Sequence, residues 1–483
     1  MIDTKALRKK ILELAFNGKL SSSNSTDNSS EELVKSIYQQ KEILVREKKI
    51  SKIKQMNAIK EDEMIFDIPS GWGYYKLGEL CLPLSDGVHY APEYQDNGYK
   101  CFSAKDIYNN RINDNDCTYI TEEEYISMKN KINVQEGSIL VTKSGSIGRS
   151  AVVDKYFEFG LVESIGVINP IFVDSEYIKY VLDYGFVYSS YYYEKYTRGV
   201  GLKHLTLTLL ENIPIPLPPL TEQKNLVKTI KNAFELMDKI DTLQQQYEAD
   251  LSVLKGKIID AGIRGKLTKQ LPEDGDAEIQ YSQIQEEKAK LIKEGKIKKE
   301  KPLPAIGVDE IPFEIPKNWK WVMLSDVLDV RDGTHDSPQY HKEGIPLVTS
   351  KNLSTGIIDY ENIKYISQKD ADAINARSRV DDGDILFAMI GTIGNPVLVK
   401  KEKEFCIKNV ALFKKIAEGR LSMEYVHTFL LAEQYEFRRI VSGGLQPFIS
   451  LKQFRAHLMP LPPLAEQKRI TEKIDEVLKY INN

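Results

Sequence analysis

Hydrophobic positions follow two regimes along the chain. In two long segments, short apolar runs rich in Val, Ile, Tyr and Thr are broken by Gly, Asn, Asp and Pro. That pattern predicts strand-rich mixed domains, from about residue 66 to 219 and from about 313 to 463. Elsewhere the period is helical. Within 222–261, steps of four and three residues give Leu226, Ile230, Ala233, Met237, Ile240, Gln244, Tyr247, Leu251, Leu254, Ile258 and Ala261, apolar or aromatic everywhere except Gln244. This is a heptad seam on a helix roughly 60 Å long at 1.5 Å per residue.

The regimes repeat. FDIPSGWGYYKLG from Phe66 returns as FEIPKNWKWVML from Phe313, displaced by 247 and carrying Trp72 onto Trp319. DGVHYAPEY from Asp86 returns as DGTHDSPQY from Asp332, and EGSILVTKSGSIGRSAVV from Glu136 as DGDILFAMIGTIGNPVLV from Asp382, both displaced by 246. LPPLTEQK from Leu217 returns as LPPLAEQK from Leu461, displaced by 244. A fixed order at a nearly fixed displacement identifies one module written twice.

The ends of the chain cut through one repeat. Ile470, Ile474, Val477 and Ile481 match the first four seam positions, while Leu7, Ile11 and Leu14 match Leu254, Ile258 and Ala261, with Gly18-Lys19-Leu20 on Gly265-Lys266-Leu267. The N- and C-terminal helices are therefore expected end to end, completing a second spacer that packs on the first as an antiparallel coiled coil. The alternative is a seam that packs on its own globular domain. A further helix from Glu31 aligns on one from Glu278, with Ile37 on Ile284 and Lys41 on Lys288, and a charge-rich face expected in solvent. Ser21–Ser30 and the Lys-rich stretch through Pro302 and Pro304 read as connectors. The basic run Lys296–Lys301 reads as a solvated face that could touch phosphate. The expected division is 1–65, 66–219, 220–267, 268–312, 313–463 and 464–483. The fold class is α+β, with two strand-rich mixed α/β domains separated by long helices in an internal pseudo-two-fold, circular repeat.

Composition narrows the function. At 483 residues, 42% hydrophobic and 28% charged, the chain is long enough for two cores and reads as globular. No apolar run reaches the length of a membrane span, and the start carries charges inside its apolar stripe, so a cytoplasmic protein with no membrane partner is expected. Cys81, Cys101, Cys117 and Cys406 lack metal-ligand or disulfide spacing and read as buried free thiols. A formal net charge of −4 means that any nucleic-acid binding must come from a locally basic face.

A catalytic centre is not legible. There is no GxxxxGK[ST] and no GxGxxG at a strand-to-helix junction. The loops Ser144–Gly148 and Ile390–Gly394 lie between β-rich runs and read as tight hairpins. Asn169-Pro170-Ile171-Phe172 approaches an adenine-methyltransferase tetrapeptide, has no counterpart in the second copy, and reads as a turn. His89 and His335 recur in DGxHxxPxY beside Asp86 and Asp332; with no second ligand at useful spacing they read first as turn or surface hydrogen-bonding residues, and a polar contact to DNA suits them better than a base or metal site. No catalytic or metal residue is assigned.

Taken together, two LPPLxEQK motifs, two GKL helix ends, the paired IPxxW openings and the split repeat make the chain resemble the specificity subunits of type I restriction-modification systems over essentially its whole length. The resemblance implies two target-recognition domains, each reading half of a split double-stranded DNA target, held apart by helical regions. It implies two methyltransferase subunits using S-adenosylmethionine, and restriction subunits using ATP and Mg2+. It implies no cofactor for this chain itself. Physically, a helix of fixed length can set the spacing of two readers, and because the copies differ, the half-sites should differ too.

Loops on a rigid frame are the expected readers, through side chains that reach phosphates and base edges. The candidates are Lys105, Lys143, Ser144, Ser146, Arg149, Arg198, Lys203 and His204 in the first domain. In the second they are Lys351, Asn352, Arg377, Arg379, Thr392, Arg438, Gln446 and Ser450. The resemblance implies a glycine-rich turn followed by Gln and Ser. The second copy has Gly443-Gly444-Leu445-Gln446 and Ser450, whereas the first departs from this with Gly201-Leu202-Lys203-His204 and Thr206. Two other readings predict different behaviour: a stand-alone DNA adenine methyltransferase or a fused restriction-methylation enzyme would transfer methyl groups alone, and a structural coiled-coil assembly factor would show no sequence preference on DNA.

Overall fold

The computed structural model describes residues 1–20, 29–155, 157–199, 203–354, 356–441 and 447–482. Two compact units divide the chain, Met1–Gln246 and Tyr247–Asn483, with the boundary inside a single central helix, Leu220–Ile263.

In the first unit an antiparallel sheet runs in the order Ser85–Asp86, Ile165–Ile168, Ile139–Thr142, Ser150–Val152. Its middle strands are buried along their whole length, so they read as continuous apolar runs rather than alternating ones. A second sheet orders Phe159–Leu161, Tyr99–Phe102, Thr118–Ile120 and Tyr94–Gln95. The second unit repeats the plan with Leu328–Asp332, Val410–Lys415, Ile385–Ala388 and Gly394–Leu398, beside a three-stranded sheet of Lys364–Ile366, Ile345–Thr349 and Cys406–Lys408. In each unit the strand after the IPxxW tryptophan pairs antiparallel with the strand leading into LPPL: Gly73 opposite Leu217, and Lys320 opposite Leu461. The segment between the two motifs thus closes on itself.

The repeated motifs build the junction between domain and helix. In LPPLxEQK the Glu carboxylate accepts the indole N–H of the IPxxW tryptophan: Trp72 to Glu222 and Trp319 to Glu466, each at 2.8 Å. The following Gln is fully buried. Gln223 accepts the Asp174 amide at 2.9 Å and donates to Pro218 O at 2.8 Å. Gln467 does the same with the Ser422 amide and Pro462 O, at 2.9 and 2.7 Å. Asp174 and Ser422 are themselves N-caps of the helices Ser175–Asp183 and Met423–Arg439, so one glutamine ties two helix starts together. The GKL glycines end their helices at positive φ, +64° for Gly18 and +68° for Gly265. A Cβ there would lie 2.1 Å from Pro69 Cγ or 2.5 Å from Pro316 Cγ, which explains why GKL and IPxxW occur together.

The N-terminal helix, Thr4–Phe16, runs antiparallel to the first half of the central helix. Arg8 pairs with Asp238 and Asp241 at 2.9 and 3.0 Å, and Thr4 donates to Asp241 at 2.5 Å. Gln244, the polar exception in the heptad seam, accepts the backbone N–H of Ile2 and donates to its carbonyl. In the second unit the C-terminal helix, Leu464–Asn482, runs antiparallel to the end of the central helix; Gly262 there admits Ile470 and Ile474, whose side chains lie 3.1 and 2.8 Å from where a Cβ would sit.

The seam needs one correction. Leu226, Ile230, Met237, Ile470 and Ile474 are buried, and Ile240, Leu251, Ile258, Val477, Ile481, Ile11 and Leu14 are half-buried. Leu7, Tyr247 and Leu254, however, are 42%, 60% and 45% exposed. The buried face of the N-terminal helix is Leu12, Ala15 and Phe16, because the helix also packs into its own domain, with Phe16 against Phe66, Tyr177 and Tyr184 at 5.3 to 6.1 Å between ring centroids. The reading in which the seam packs on its own domain therefore holds for this part.

The helices Ser30–Arg46 and Ala277–Lys293 bury Ile37 and Ile284 as expected. Their charged face is not wholly solvated. Lys41 is buried and donates to Gly78 O and Glu79 O at 2.9 Å, and Lys288 donates to Ser325 O at 2.5 Å. Burial lowers the Lys41 pKa, so the two carbonyls hold a charge that would otherwise be costly. Of the serine-rich connector, 21–28 lie outside the described residues, while Ser29 stands at the N-cap position without a side-chain capping bond and Ser30 begins the helix. All four cysteines are buried free thiols. No helix among the described residues is long and apolar enough to cross a membrane.

Candidate nucleic-acid interface

At one edge of each domain three loops meet, and the DGxH turn is the first. Gly87 and Gly333 pass so close to the neighbouring strand that a Cβ would lie 2.2 Å from Val162 O or 2.3 Å from Ile407 O. The glycine lets the turn press inward and present the residues on either side. His89 then lies between Asp86 at 3.2 Å and Glu163 at 3.3 Å. His335 lies between Asp332 at 2.8 Å and Asn409 at 2.9 Å. Both histidines are exposed. The pattern DGxH is visible in the sequence, but Glu163 and Asn409 do not stand out there, because only the strand pairing carries them to the turn. They are displaced by the same 246 residues.

The second loop is the hairpin tip, Lys143–Arg149 in one domain and Met389–Ile393 in the other. Both join antiparallel strands, as expected. In the first, the Thr142 hydroxyl accepts from the Arg149 amide at 3.0 Å and donates to Ser146 O, leaving Ser146 and Arg149 exposed and Ser144 half-exposed. Thr392 is exposed at the second tip. The third loop docks on the second. Leu205 donates to Lys143 O at 2.9 Å, and Ile449 donates to Met389 O at 2.9 Å. Arg198 and His204 bridge through their backbones, and with Lys203 they stay exposed.

Together these loops line a cleft of about 770 Å³ in the first domain, bounded by Asp86, His89, Tyr90, Lys143, Glu163 and His204. The Tyr90 hydroxyl donates to Glu124 at 2.7 Å, and this bond raises its pKa above the usual phenol value.

Several expected contacts have structural employment. Lys143 is buried and ion-paired with Asp86. Asn352 is buried as well. Its carboxamide accepts from the amide and hydroxyl of Thr349, both at 2.9 Å, and donates to Asp359 O at 3.1 Å. Ser450 is the N-cap of Leu451–Ala456, the role Thr206 takes for Leu207–Glu211. A side chain committed to capping or burial spends polar atoms inside its own domain. Arg438 remains exposed while donating to Ile393 O at 2.7 Å, and Arg377 holds Asp332 at 3.1 Å and Gly333 O at 2.8 Å. Lys105, Lys351 and Arg379 are exposed on flanking loops. Gln446, with the glycine turn before it, lies outside the described residues. Asn169 is buried with its amide spent on Asn133 O, in agreement with a structural turn. No cluster of three His, Cys, Asp or Glu suited to a metal occurs among the described residues.

Two strand-rich domains, each fastened to a helix and each presenting a loop-built polar face, define a two-headed recognition protein. The chain belongs to the family described as the type I restriction modification DNA specificity domain, which matches residues 69–249 and again 316–483. Among curated proteins it is similar to the type I restriction enzyme EcoAI specificity subunit of Escherichia coli, 27% identical across 99% of this chain and 89% of that one. The EcoEI specificity subunit of Escherichia coli is 26% identical across 98% and 89%. The fold is similar to that of a solved structure described as the structural basis of complex assembly and conformational transition of the type I R-M system. The TM-score is 0.58 at 18% identity, over 86% of this chain and 92% of that one.

Proposed function

We propose that this chain is the non-catalytic DNA specificity subunit of a type I restriction-modification complex, in which 66–219 and 313–463 each read one half of a split duplex target. The observation that carries this reading is the pair of equivalent faces, alike in backbone and different in side chains: Glu163 against Asn409, Arg149 against Asn395. Glu accepts from cytosine N4, whereas Asn pairs bidentately with adenine, so such faces select unlike bases. The exposed candidates Ser144, Ser146, Arg149, Arg198, Lys203 and His204 serve the first half-site. Lys351, Arg377, Arg379, Thr392 and Arg438 serve the second, while Lys105 and its flanking loop position the duplex.

The central helical region (220–267), with the helices of 1–65 and 464–483, acts as the spacer. Two methyltransferase subunits dock on this frame and methylate adenine with S-adenosylmethionine; restriction subunits add ATP- and Mg2+-dependent translocation and cleavage. The site of action is the cytoplasm, on chromosomal or incoming DNA. The decisive experiment is methyl transfer to DNA by the purified chain with and without methyltransferase subunits. Activity is expected only in their presence; transfer by the chain alone would favour a fused methyltransferase.

A further inference from the structure

The two modules differ where the connector after their second helix crosses the domain. In the first, residues 50–54 cover a small cavity of about 260 Å³ beside Gly78 and Cys81, and Lys54 is neutralised by Glu211. At the position equivalent to Glu211 the second module has Arg455. There the connector instead walls a groove of about 1270 Å³. It is anchored by Glu300 on Arg455 at 2.7 Å and by Lys296 O, which accepts from Arg331 at 3.1 Å. Pro302 and Pro304 follow, each fixing φ in the departing chain.

Eight cationic side chains line the groove against three carboxylates, in a chain whose formal charge is −4. Each carboxylate is already engaged: Glu300 by Arg455, Asp329 by Arg331, Asp332 by Arg377. Lys298, Lys299, Lys301 and Lys452 are exposed and have no ion-pair partner among the described residues. Four unpaired ammonium groups around one concavity repel each other unless an anion lies among them.

The groove is also continuous with the reading face. Arg377 lines it while donating to Asp332 and Gly333 O, and Asp332 in turn holds His335. Arg377 and Asp332 thus belong to both the groove and the turn.

We propose that this groove of the second module binds the phosphate backbone of duplex DNA flanking the half-site which that module reads. The inference rests on the specificity-subunit reading. It makes the module a clamp as well as a reader, and makes the contact one-sided, since the first module lacks it. Phosphate contacts of this kind add affinity and salt dependence without adding sequence information.

The test is a salt titration of the full chain, with its methyltransferase subunits, on a duplex carrying its methylation target. Wild type is compared with a Lys298→Gln, Lys299→Gln, Lys301→Gln, Lys452→Gln variant. These side chains are exposed, so the fold should survive, and a thermal melt checks that it does. The slope of log K against log salt should become shallower by roughly 2 to 4, at about 0.9 for each phosphate no longer neutralised, with the methylated motif unchanged. As a second arm, trimming the duplex outside the second half-site should weaken wild type to the level of the variant, whereas trimming outside the first should not. An unchanged slope overturns the proposal, as does weakened assembly with methyltransferase subunits at unchanged slope, which would assign the groove to an acidic protein surface. If wild type itself shows no sequence preference, the specificity-subunit reading fails instead.

Discussion

The junctions and the faces of the two modules obey opposite rules. At the junctions the same atoms recur: Trp72 on Glu222 and Trp319 on Glu466 at the same 2.8 Å, Gly18 against Pro69 and Gly265 against Pro316. At the faces the backbone recurs and the side chains change, so the histidine of one turn meets Glu163 and that of the other Asn409. The difference shows where the repeat is held by geometry and where it is free to vary. A buried indole needs an acceptor and a left-handed helix cap needs glycine, whichever sequence is read. An exposed side chain on a loop answers only to its ligand.

The largest effect is expected at the junction. Gly18→Ala forces an L-residue into positive φ and a methyl into Pro69, a loss of about 2–5 kcal/mol measured by denaturant unfolding. Gly71, also at positive φ but with nothing within 4 Å, should lose only the backbone part on the same substitution. Equal losses at the two sites would remove the packing argument.

Next, Trp319→Phe leaves the fully buried Glu466 without its indole donor and should cost about 1–3 kcal/mol. Glu466 still receives Thr268 and Gln270, so the loss should stop short of unfolding the second unit. Ile240→Asp comes third, at about 1–2 kcal/mol, because Ile240 is only half-buried and the substitution adds a charge beside Asp241. A loss as large as that of Gly18→Ala would mean that the central helix is more tightly packed than its exposure indicates.

Glu163→Gln should leave stability within about 0.5 kcal/mol, as surface changes do. On DNA it should relax or switch preference at a single position, worth about 1–3 kcal/mol, within one half-site. The equivalent change, Asn409→Asp, should act in the other half only. Effects spread over both halves would end the distinction between face and frame.

The frame was largely legible in the sequence, because its motifs recur in order and its helices have strong periodicity. Even Gln244, an exception in the pattern, has its explanation in the backbone of Ile2. Two things were not legible. The buried side of the N-terminal helix is Leu12, Ala15 and Phe16 rather than Leu7, Ile11 and Leu14, because a helix that packs on both a partner helix and a domain core has no single seam. In the faces, Asn352, Ser450 and Lys143 are residue types that suit a cap or an internal ion pair as well as a DNA contact, and only the folded chain tells the roles apart. Glu163 and Asn409 were invisible for the converse reason: each reaches its histidine across strands far apart in sequence.

The most direct test of the central claim is the map of methylated adenines produced by the assembled complex. Two unlike faces on one helical frame predict a single bipartite motif, with two different halves and a spacer of constant length. A continuous or palindromic motif, or methylation without a motif, would contradict it.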